Sequence, residues 1–272
     1  MQSPVIALDH LRISVASFDA ELANYRILFE REPLREWQIG GQRAAAFASG
    51  NVTLLLIESP TPRGLEGVCF RVDKLDRLRR RLQRVGIAAT ESPDPFAQAA
   101  ESSSPIISAA AGDVRGLSLG FVERQAASAS QQTSDATLLS GLDHIVIATS
   151  DAQATGFLLA AQLGLDMRMD ISRPEWDARL LFFRCGDLIV EVFQQLGGDE
   201  LRDEDSLYGL SWRVRDADRA AAYLMQCGFN VSAVRKGRRP GTRVLTLQDR
   251  TAGVATLLIE HSRAQASGGD VA

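Results

Sequence analysis

The chain lacks the features of secreted, nucleic-acid-binding and membrane proteins. Its 272 residues include three cysteines, none in a Cys-x-x-Cys pair, so no disulfide framework is expected. Its formal net charge is −4, unlike the basic footprint of a nucleic-acid-binding protein. No apolar run approaches the roughly 20 residues of a membrane helix, and the N-terminus lacks the two regions of a signal peptide. We therefore expect a cytoplasmic protein that binds neither nucleic acid nor membrane.

Two common catalytic motifs are also missing from the sequence. There is no glycine-rich phosphate loop and no Gly-x-Ser-x-Gly motif of a nucleophilic serine. Histidine is scarce, with three in the chain. What the chain does have is core-forming material, since it is 45% hydrophobic and 24% charged. We therefore expect a folded protein with a hydrophobic core and without a serine-type catalytic triad.

Four segments of the first half match four segments of the second half in the same order. Leu-Asp-His triplets open both halves and contain His10 and His144. The other matched pairs are GNVTLLLIES with GDLIVEVFQQ, CFRVDKLDRL with SWRVRDADRA, and RGLSLGFVER with AGVATLLIEH. Ordered self-similarity of this kind indicates a duplicated domain.

The duplication predicts the domain boundaries. An Ala-, Ser- and Gln-rich stretch without apolar period predicts a linker at 125–139. It separates an N-terminal domain at 5–124 from a C-terminal domain at 140–262, and the polar end at 263–272 predicts a disordered tail.

Each half repeats a smaller pattern of its own. A short β-rich run such as HIVIAT leads into a segment with helical spacing, and an Asp or Ser near its start can cap the helix. Further β-rich runs follow, with tight turns such as Cys-Gly-Asp. The sequence thus predicts an α+β fold of four βαβββ modules, paired into two domains.

Paired βαβββ modules that open with LDHIVIAT resemble the vicinal oxygen chelate superfamily. That superfamily includes glyoxalase I, methylmalonyl-CoA epimerase, extradiol dioxygenases and bleomycin-resistance proteins. The resemblance covers nearly the whole chain outside the linker and tail, and it implies open, curled, mixed sheets. Its members perform different chemistry on one scaffold, so the resemblance by itself does not define an activity.

The resemblance also implies ligand positions for a divalent metal: His, Glu or Gln, His, and Glu. In the C-terminal half the first two positions match His144 and Glu191. The third position falls on Leu210 and the fourth near Leu257. Glu260 lies three residues beyond the fourth position, an odd step that turns it to the other face of a strand unless a β-bulge resets the alternation. Two of the four expected ligands therefore remain, so the cofactor is a weakly held divalent metal or none.

The N-terminal half retains less of that ligand pattern. His10 matches the first position, whereas the others fall on Leu55, Gly67 and Gly120. We expect this half to be non-catalytic. Extradiol ring cleavage is not expected in either half, because its iron site needs the first, third and fourth positions.

His144 and Glu191 are the predicted catalytic and metal-binding residues. Glu191 lies inside an apolar run, on the strand face of Ile189 and Phe193, where a carboxylate is costly unless it has a partner. It can hold a metal or act as a general base with His144 as its proton donor. The alternative for His144 is a structural one, a hydrogen bond at the start of a strand, and its twin His10 favours that alternative.

Further residues are candidates for substrate binding. Arg238, Arg239 and Arg243 lie in the basic loop RKGRRPGTRV and can clamp a carboxylate or phosphate, unless the loop is only a solvated turn. Three aromatic residues can stack on a flat substrate or pack in the core: Trp212, Tyr208 and Trp176.

Two classes of function fit these observations. The first is a small-molecule enzyme, lyase- or isomerase-like, that acts on an oxygen-rich or carboxylated metabolite. The second is a binding or sequestration protein similar to the bleomycin-resistance proteins. Because the duplication places both modules of each pair in one chain, either a monomer or a homodimer is compatible with the sequence.

Overall fold

The computed structural model describes residues 3–94, 96, 105–124, 137–197 and 204–262. The predicted linker at 125–139 lies outside the described residues except for its last three, and the predicted tail at 263–272 lies wholly outside them. Within these ranges, no helix has the length and apolar character needed to cross a bilayer.

Two mixed sheets of eight strands each make up most of the fold. The strands of the first sheet are β1 (Val5–Val15), β2 (Arg35–Ile39), β3 (Gln42–Ser49), β4 (Val52–Glu58), β5 (Gly64–Val72), β6 (Ala89–Ser92), β7 (Ile106–Ala109) and β8 (Leu119–Glu123). Those of the second are β9 (Leu139–Thr149), β10 (Asp166–Arg173), β11 (Ala178–Cys185), β12 (Leu188–Gln195), β13 (Ser206–Val214), β14 (Arg235–Lys236), β15 (Thr242–Leu247) and β16 (Ala255–His261).

The two sheets have the same topology. The first has the order β2-β3-β4-β1-β5-β8-β7-β6, and the second repeats that order when its strands are counted from β9. In each sheet an inner pair is parallel, β5 with β8 and β13 with β16, and the second strand of that pair continues into an antiparallel pair, β8 with β7 and β16 with β15. The predicted α+β fold of four βαβββ modules in two open sheets is therefore confirmed.

One helix follows the first strand of each module. These helices are α1 (Phe18–Phe29), α2 (Leu75–Arg84), α3 (Ala152–Phe157), which continues as a π-helical segment (Leu158–Leu163), and α4 (Ala217–Gln226). The Asp216 side chain accepts hydrogen bonds from two backbone N–H groups in the first turn of α4, and Asp151 caps α3. The predicted caps are thus present at α3, where Asp151 accepts from one N–H group, and at α4, whereas the predicted caps at α1 and α2 are wrong because neither helix has a side-chain cap hydrogen bond.

A glutamate of the last strand stabilises the start of the helix in the second and fourth modules. The Leu75 N–H group donates to Glu123 Oε2 at 2.9 Å, and the Ala217 N–H group donates to Glu260 Oε2 at 2.8 Å. A carboxylate at a helix N-terminus satisfies an unpaired donor and interacts favourably with the helix dipole. Glu260 therefore faces α4, which agrees with the odd step noted in the sequence.

The chain divides into two compact units that cut across the sheets. The first comprises Met1–Leu11, Glu66–Ala129 and Val146–Tyr208, and the second Arg12–Leu65, Ser130–Ile145 and Gly209–Ala272. The sheets follow the predicted domains at 5–124 and 140–262, whereas the compact units do not. Those domain boundaries stay a prediction.

Each unit joins segments of both halves of the chain. In the first unit, the Arg81 guanidinium of α2 donates to the carbonyl oxygens of Ala161 and Gln162, each at 2.7 Å. In the second unit, the Asn51 side-chain amide exchanges two hydrogen bonds with the backbone of Leu142, at 2.8 and 2.9 Å. The Asn51 contacts fix the position of β9, the strand that carries His144, and the Arg81 contacts tie α2 to the π-helical segment.

Candidate functional site

Asp143 and His144 are consecutive residues of β9 in the second unit, and their side chains are hydrogen-bonded. His144 Nδ1 lies 2.9 Å from Asp143 Oδ2, with 17% of the histidine and 16% of the aspartate side chain exposed. Burial by itself raises the pKa of Asp143. The hydrogen bonds from His144 and His261 and the charges of both imidazoles outweigh burial and hold that pKa well below its ordinary value. Asp143 is therefore ionised at neutral pH.

The ionised carboxylate determines the tautomer of His144. A carboxylate without a proton is an acceptor only, so Nδ1 must be the atom that donates to Asp143. In the neutral ring this leaves a lone pair on Nε2. The hydroxyl of Ser211 lies 2.7 Å from Nε2 and donates to it. Asp143, His144 and Ser211 thus form one hydrogen-bonded chain, which we call the relay.

Ser211 is buried in β13. Its side chain lies on the strand face where the third ligand position, predicted at Leu210, was expected. Leu210 and Trp212, its neighbours, point to the opposite face, because side chains alternate along a strand. The predicted ligand position was therefore misplaced by one residue, and a shift of one residue exchanges the two faces of a strand. Leu257 is the β16 partner of Ser211, so its predicted place on this face is correct.

Two more side chains contact the relay from the same unit. His261 Nε2 lies 2.7 Å from Asp143 Oδ1, and Arg213 Nε donates to that oxygen at 3.2 Å. Asp143 therefore accepts from two imidazoles and one guanidinium. Asp143, His261 and Arg213 are not among the site residues predicted from the sequence. The available signal was the aspartate before each histidine of the repeated triplet, and the third histidine of a chain that has so few.

Glu191 lies on β12 in the first unit, whereas His144 belongs to the second. Along β12 the side chains of Val190 and Val192 are buried, and those of Ile189, Glu191 and Phe193 are half-buried. The predicted alternation is confirmed. Glu191 is paired across the hairpin with Phe182 of β11. Its predicted partnership with His144 stays a prediction.

The side chains present do not fit a resident metal ion. Within the described ranges, no three His, Cys, Asp or Glu side chains are grouped as a metal site requires. Asp143, His144 and His261 are close together, but their polar atoms are hydrogen-bonded to one another rather than directed at a common point. In the neutral ring, Nε2 of His144 has the lone pair that could bind a metal. This lone pair accepts a hydrogen bond from Ser211.

The basic loop forms the hairpin between β14 and β15. Arg238 and Arg239 are exposed. Arg243 lies on the helix side of β15, where it is ion-paired with Asp218 at 2.7 Å and Glu260 at 3.3 Å. Two carboxylates thus neutralise Arg243. Of the three arginines predicted to clamp a ligand, Arg238 and Arg239 are the ones exposed to solvent.

The three aromatic candidates lie in different environments. Trp212 is 1% exposed and packs edge-on against Phe29, with ring centroids 5.3 Å apart, so it has the core role that the sequence left open. Tyr208 is 59% exposed at the start of β13. Trp176 is also exposed, in a short 3-10 turn, with the Arg173 guanidinium 5.8 Å from its ring centroid.

Comparisons with known proteins agree with this fold. Residues 143–246 match the family model described as the Glyoxalase/Bleomycin resistance protein/Dioxygenase superfamily. No curated protein matches the chain. The chain thus has the vicinal oxygen chelate fold, with its C-terminal half matching the family directly, and the resemblance seen in the sequence is confirmed.

Solved structures extend the likeness over almost the whole chain. The Mn(II)-bound glyoxalase from Novosphingobium aromaticivorans is 16% identical with a TM-score of 0.69, over 95% of this chain and 83% of that one. The 2,3-dioxygenase LapB from Pseudomonas sp. KL28 is 13% identical with a TM-score of 0.71, over 96% and 94%. The 2,2',3-trihydroxybiphenyl 1,2-dioxygenase from a Sphingomonas wittichii strain is 17% identical with a TM-score of 0.67, over 94% and 90%. At these identities the likeness concerns the fold.

Proposed function

We propose that the chain is a small-molecule enzyme that moves a proton, in a lyase- or isomerase-type reaction on an oxygen-rich or carboxylated metabolite. The observation that carries the proposal is the relay, with hydrogen bonds of 2.9 Å from His144 to Asp143 and 2.7 Å from Ser211 to His144. The likeness to a glyoxalase and to dioxygenases supports an enzyme on this scaffold.

The relay can store a proton without breaking its hydrogen bonds. In the neutral ring the Ser211 hydroxyl donates to His144 Nε2, and in the imidazolium Nε2–H donates to the hydroxyl oxygen. A proton lost by the substrate is therefore taken up at Nε2 of the partly exposed His144, and the Ser211 hydroxyl turns to accept from the new N–H group while keeping its own proton. The ionised carboxylate of Asp143 stabilises the resulting imidazolium. Return of the proton to a different substrate atom completes an isomerisation, and departure of a leaving group completes an elimination.

No step of this proposal passes through a metal ion, because the donor set does not fit one. Protein purified without chelator should contain no stoichiometric divalent metal, and added Mn²⁺, Ni²⁺, Zn²⁺ or Fe²⁺ should not raise its melting temperature. Binding of a ligand to the folded state alone would raise it. A stoichiometric metal, or a saturable thermal shift with one of these ions, would contradict the metal-free proton relay and favour a metal-dependent reaction.

Deuterium exchange tests the proposed chemistry before the natural substrate is known. The protein is incubated in D₂O with a panel of hydroxy acids, oxo acids and acyl thioesters, and exchange at carbon is followed by proton NMR. A general base contributes about 10²- to 10⁴-fold, so His144→Gln should slow any exchange at least ~100-fold. Ser211→Ala should also slow exchange.

Ser140→Ala provides the matched control for Ser211→Ala. Ser140 lies on the same strand as His144, and its hydroxyl donates to the Arg213 carbonyl at 3.3 Å, outside the relay. This variant should exchange at the wild-type rate. Exchange that is unchanged in His144→Gln would show that the relay is not the base.

A binding protein is the second candidate, favoured by the half-buried face of β11 and β12. Phe182, Ile189 and Phe193 share this face, and Glu191 is the carboxylate among them. Such a surface suits the apolar part of a ligand that also carries a donor group. Tight binding of a compound that is recovered unchanged, together with no exchange across the panel, would select this function over the enzyme.

A further inference from the structure

The hairpin between β14 and β15 and the end of β16 border an open concave pocket of about 490 Å³. We call it the hairpin pocket. It lies in the second unit and is lined by Lys236, Gly237, Arg239, Pro240, Gly241, Thr242, Arg243, Glu260 and Ser262. None of these residues belongs to the relay.

Hydrogen bonds hold the hairpin in one conformation. The Gly237 N–H group donates to the Thr242 carbonyl at 2.9 Å, and the Thr242 hydroxyl donates to the Arg239 carbonyl at 2.6 Å. Thr242 Oγ1 lies so close to Gly237 that a Cβ atom there would be 2.1 Å from it, so only glycine fits. The Ser262 N–H group donates to the Gly241 carbonyl at 2.8 Å and ties the turn to the end of β16. The pocket is therefore formed before any ligand arrives.

The charges of the pocket are not balanced. Glu260 lines it, and this carboxylate shares the Arg243 guanidinium with Asp218 and also accepts the Ala217 N–H group. Lys236 and Arg239 form no ion pair with any carboxylate in the described part of the chain. Lys236 and Arg239 are thus two cationic side chains without an ion-pair partner at one concave site, in a chain whose net charge is −4.

We propose that the hairpin pocket binds the phosphate group of a small-molecule ligand. A phosphate monoester carries close to two negative charges at pH 7 and can contact both unpaired cations. The guanidinium of Arg239 can form paired hydrogen bonds to two phosphate oxygens, and the ammonium of Lys236 supplies a point charge. The fixed hairpin lowers the cost of ordering the site on binding.

Isothermal titration with inorganic phosphate at constant ionic strength tests the proposal on the full chain. Wild type should show saturable binding at one site. The double variant Lys236→Gln/Arg239→Gln should weaken that binding at least ~10-fold, because both unpaired cations are removed. Both side chains are exposed, so the variant should fold, which circular dichroism can verify.

Arg235→Gln is the matched control. Arg235 is exposed on the same hairpin and carries the same charge, but it hydrogen-bonds Thr246 at 3.4 Å and does not line the pocket. It should change phosphate affinity less than ~2-fold, as expected for a charge whose contribution is only long-range. Equal weakening in Arg235→Gln and in the double variant would overturn the proposal in favour of general attraction to the basic hairpin.

Two further outcomes complete the test. Absence of saturation with wild type would also overturn the proposal. His144→Gln should leave phosphate affinity unchanged, because the pocket and the relay share no residue. Loss of phosphate binding and loss of deuterium exchange are therefore separate results, and the hairpin pocket can fail while the proposed proton transfer stands.

Discussion

The two Leu-Asp-His triplets make the same hydrogen bond in different surroundings. His10 Nδ1 lies 2.9 Å from Asp9 Oδ2, the distance also found between His144 and Asp143. The side chain of His10 is 2% exposed, against 17% for His144. The paired carboxylate and imidazole are thus a feature of the duplicated fold, and the pair alone does not mark a functional site.

The neighbours of each pair account for the difference. Phe96 lies edge-on to His10, with ring centroids 4.9 Å apart, whereas the ring of His144 is partly open. Cys69 stands at the position that Ser211 takes in the second half, and Arg124 at that of His261. Arg124 approaches Asp9 at 3.4 Å, as His261 approaches Asp143 at 2.7 Å. The second half therefore has a hydroxyl and a second imidazole where the first has a thiol and a guanidinium.

Core truncations should have the largest effects and should not distinguish the halves. Trp212 and Phe70 occupy matched positions, and both are fully buried. Trp212→Ala and Phe70→Ala should each lower the free energy of unfolding by about 3–5 kcal/mol. Urea denaturation measures both, with Tyr208→Ala as an exposed control that should stay within about 0.5 kcal/mol. A large cost in one half only would mean that the halves contribute unequally to the fold.

Removing the histidines should distinguish the halves. His10→Ala should cost about 2–4 kcal/mol, because it empties a closed site and takes a partner from the buried Asp9. His144→Ala should cost about 1 kcal/mol, because Asp143 keeps His261 and Arg213. Denaturant unfolding of both variants under one set of conditions checks the order. A larger cost for His144→Ala would contradict the view of His10 as the structural member.

Cys69 of β5 and Ser211 of β13 occupy matched positions, and replacing Cys69 should cost more stability than replacing Ser211. Cys69 is buried with Ile106 and Val122 in an apolar cluster, so Cys69→Ser should cost about 1–3 kcal/mol for burying a hydroxyl. Ser211→Ala removes one hydrogen bond and should cost about 0.5–1.5 kcal/mol. Thermal unfolding of the two variants compares them, and a larger loss for Ser211→Ala would assign Ser211 a structural role.

The lowered pKa of Asp143 should make the free energy of unfolding depend on pH, an effect smaller than those of the truncations above. The unfolded chain takes up a proton near pH 4, whereas the folded carboxylate stays ionised to lower pH, so this stability is complete above about pH 5 and is lost as the pH falls. Asp143→Asn should therefore be less stable than wild type by about 1–2 kcal/mol at pH 6, with the difference shrinking towards pH 2. A difference that is constant between pH 6 and pH 2 would exclude this contribution.

The fold was predictable because the internal duplication and the periodic spacing of apolar residues can be recognised in the sequence alone. The repeated triplet, the matched segments and the aspartate caps could all be read without coordinates. The relay could not, because it depends on which face of β13 meets His144. A register error of one residue selects Leu210 in place of Ser211, and nothing in the local sequence resolves it. His261 and Arg213 were missed for a related reason, since their contact with Asp143 joins strands far apart in sequence.

The state of the His144 ring is the most direct test of the relay. Nitrogen-15 NMR of the imidazole rings at neutral pH reports which ring nitrogen carries the proton. The relay predicts a proton on Nδ1 of His144, and an Nε2 resonance that shifts in Ser211→Ala but not in Ser140→Ala. A proton on Nε2 with an unprotonated Nδ1, or an Nε2 resonance unchanged by Ser211→Ala, would contradict it.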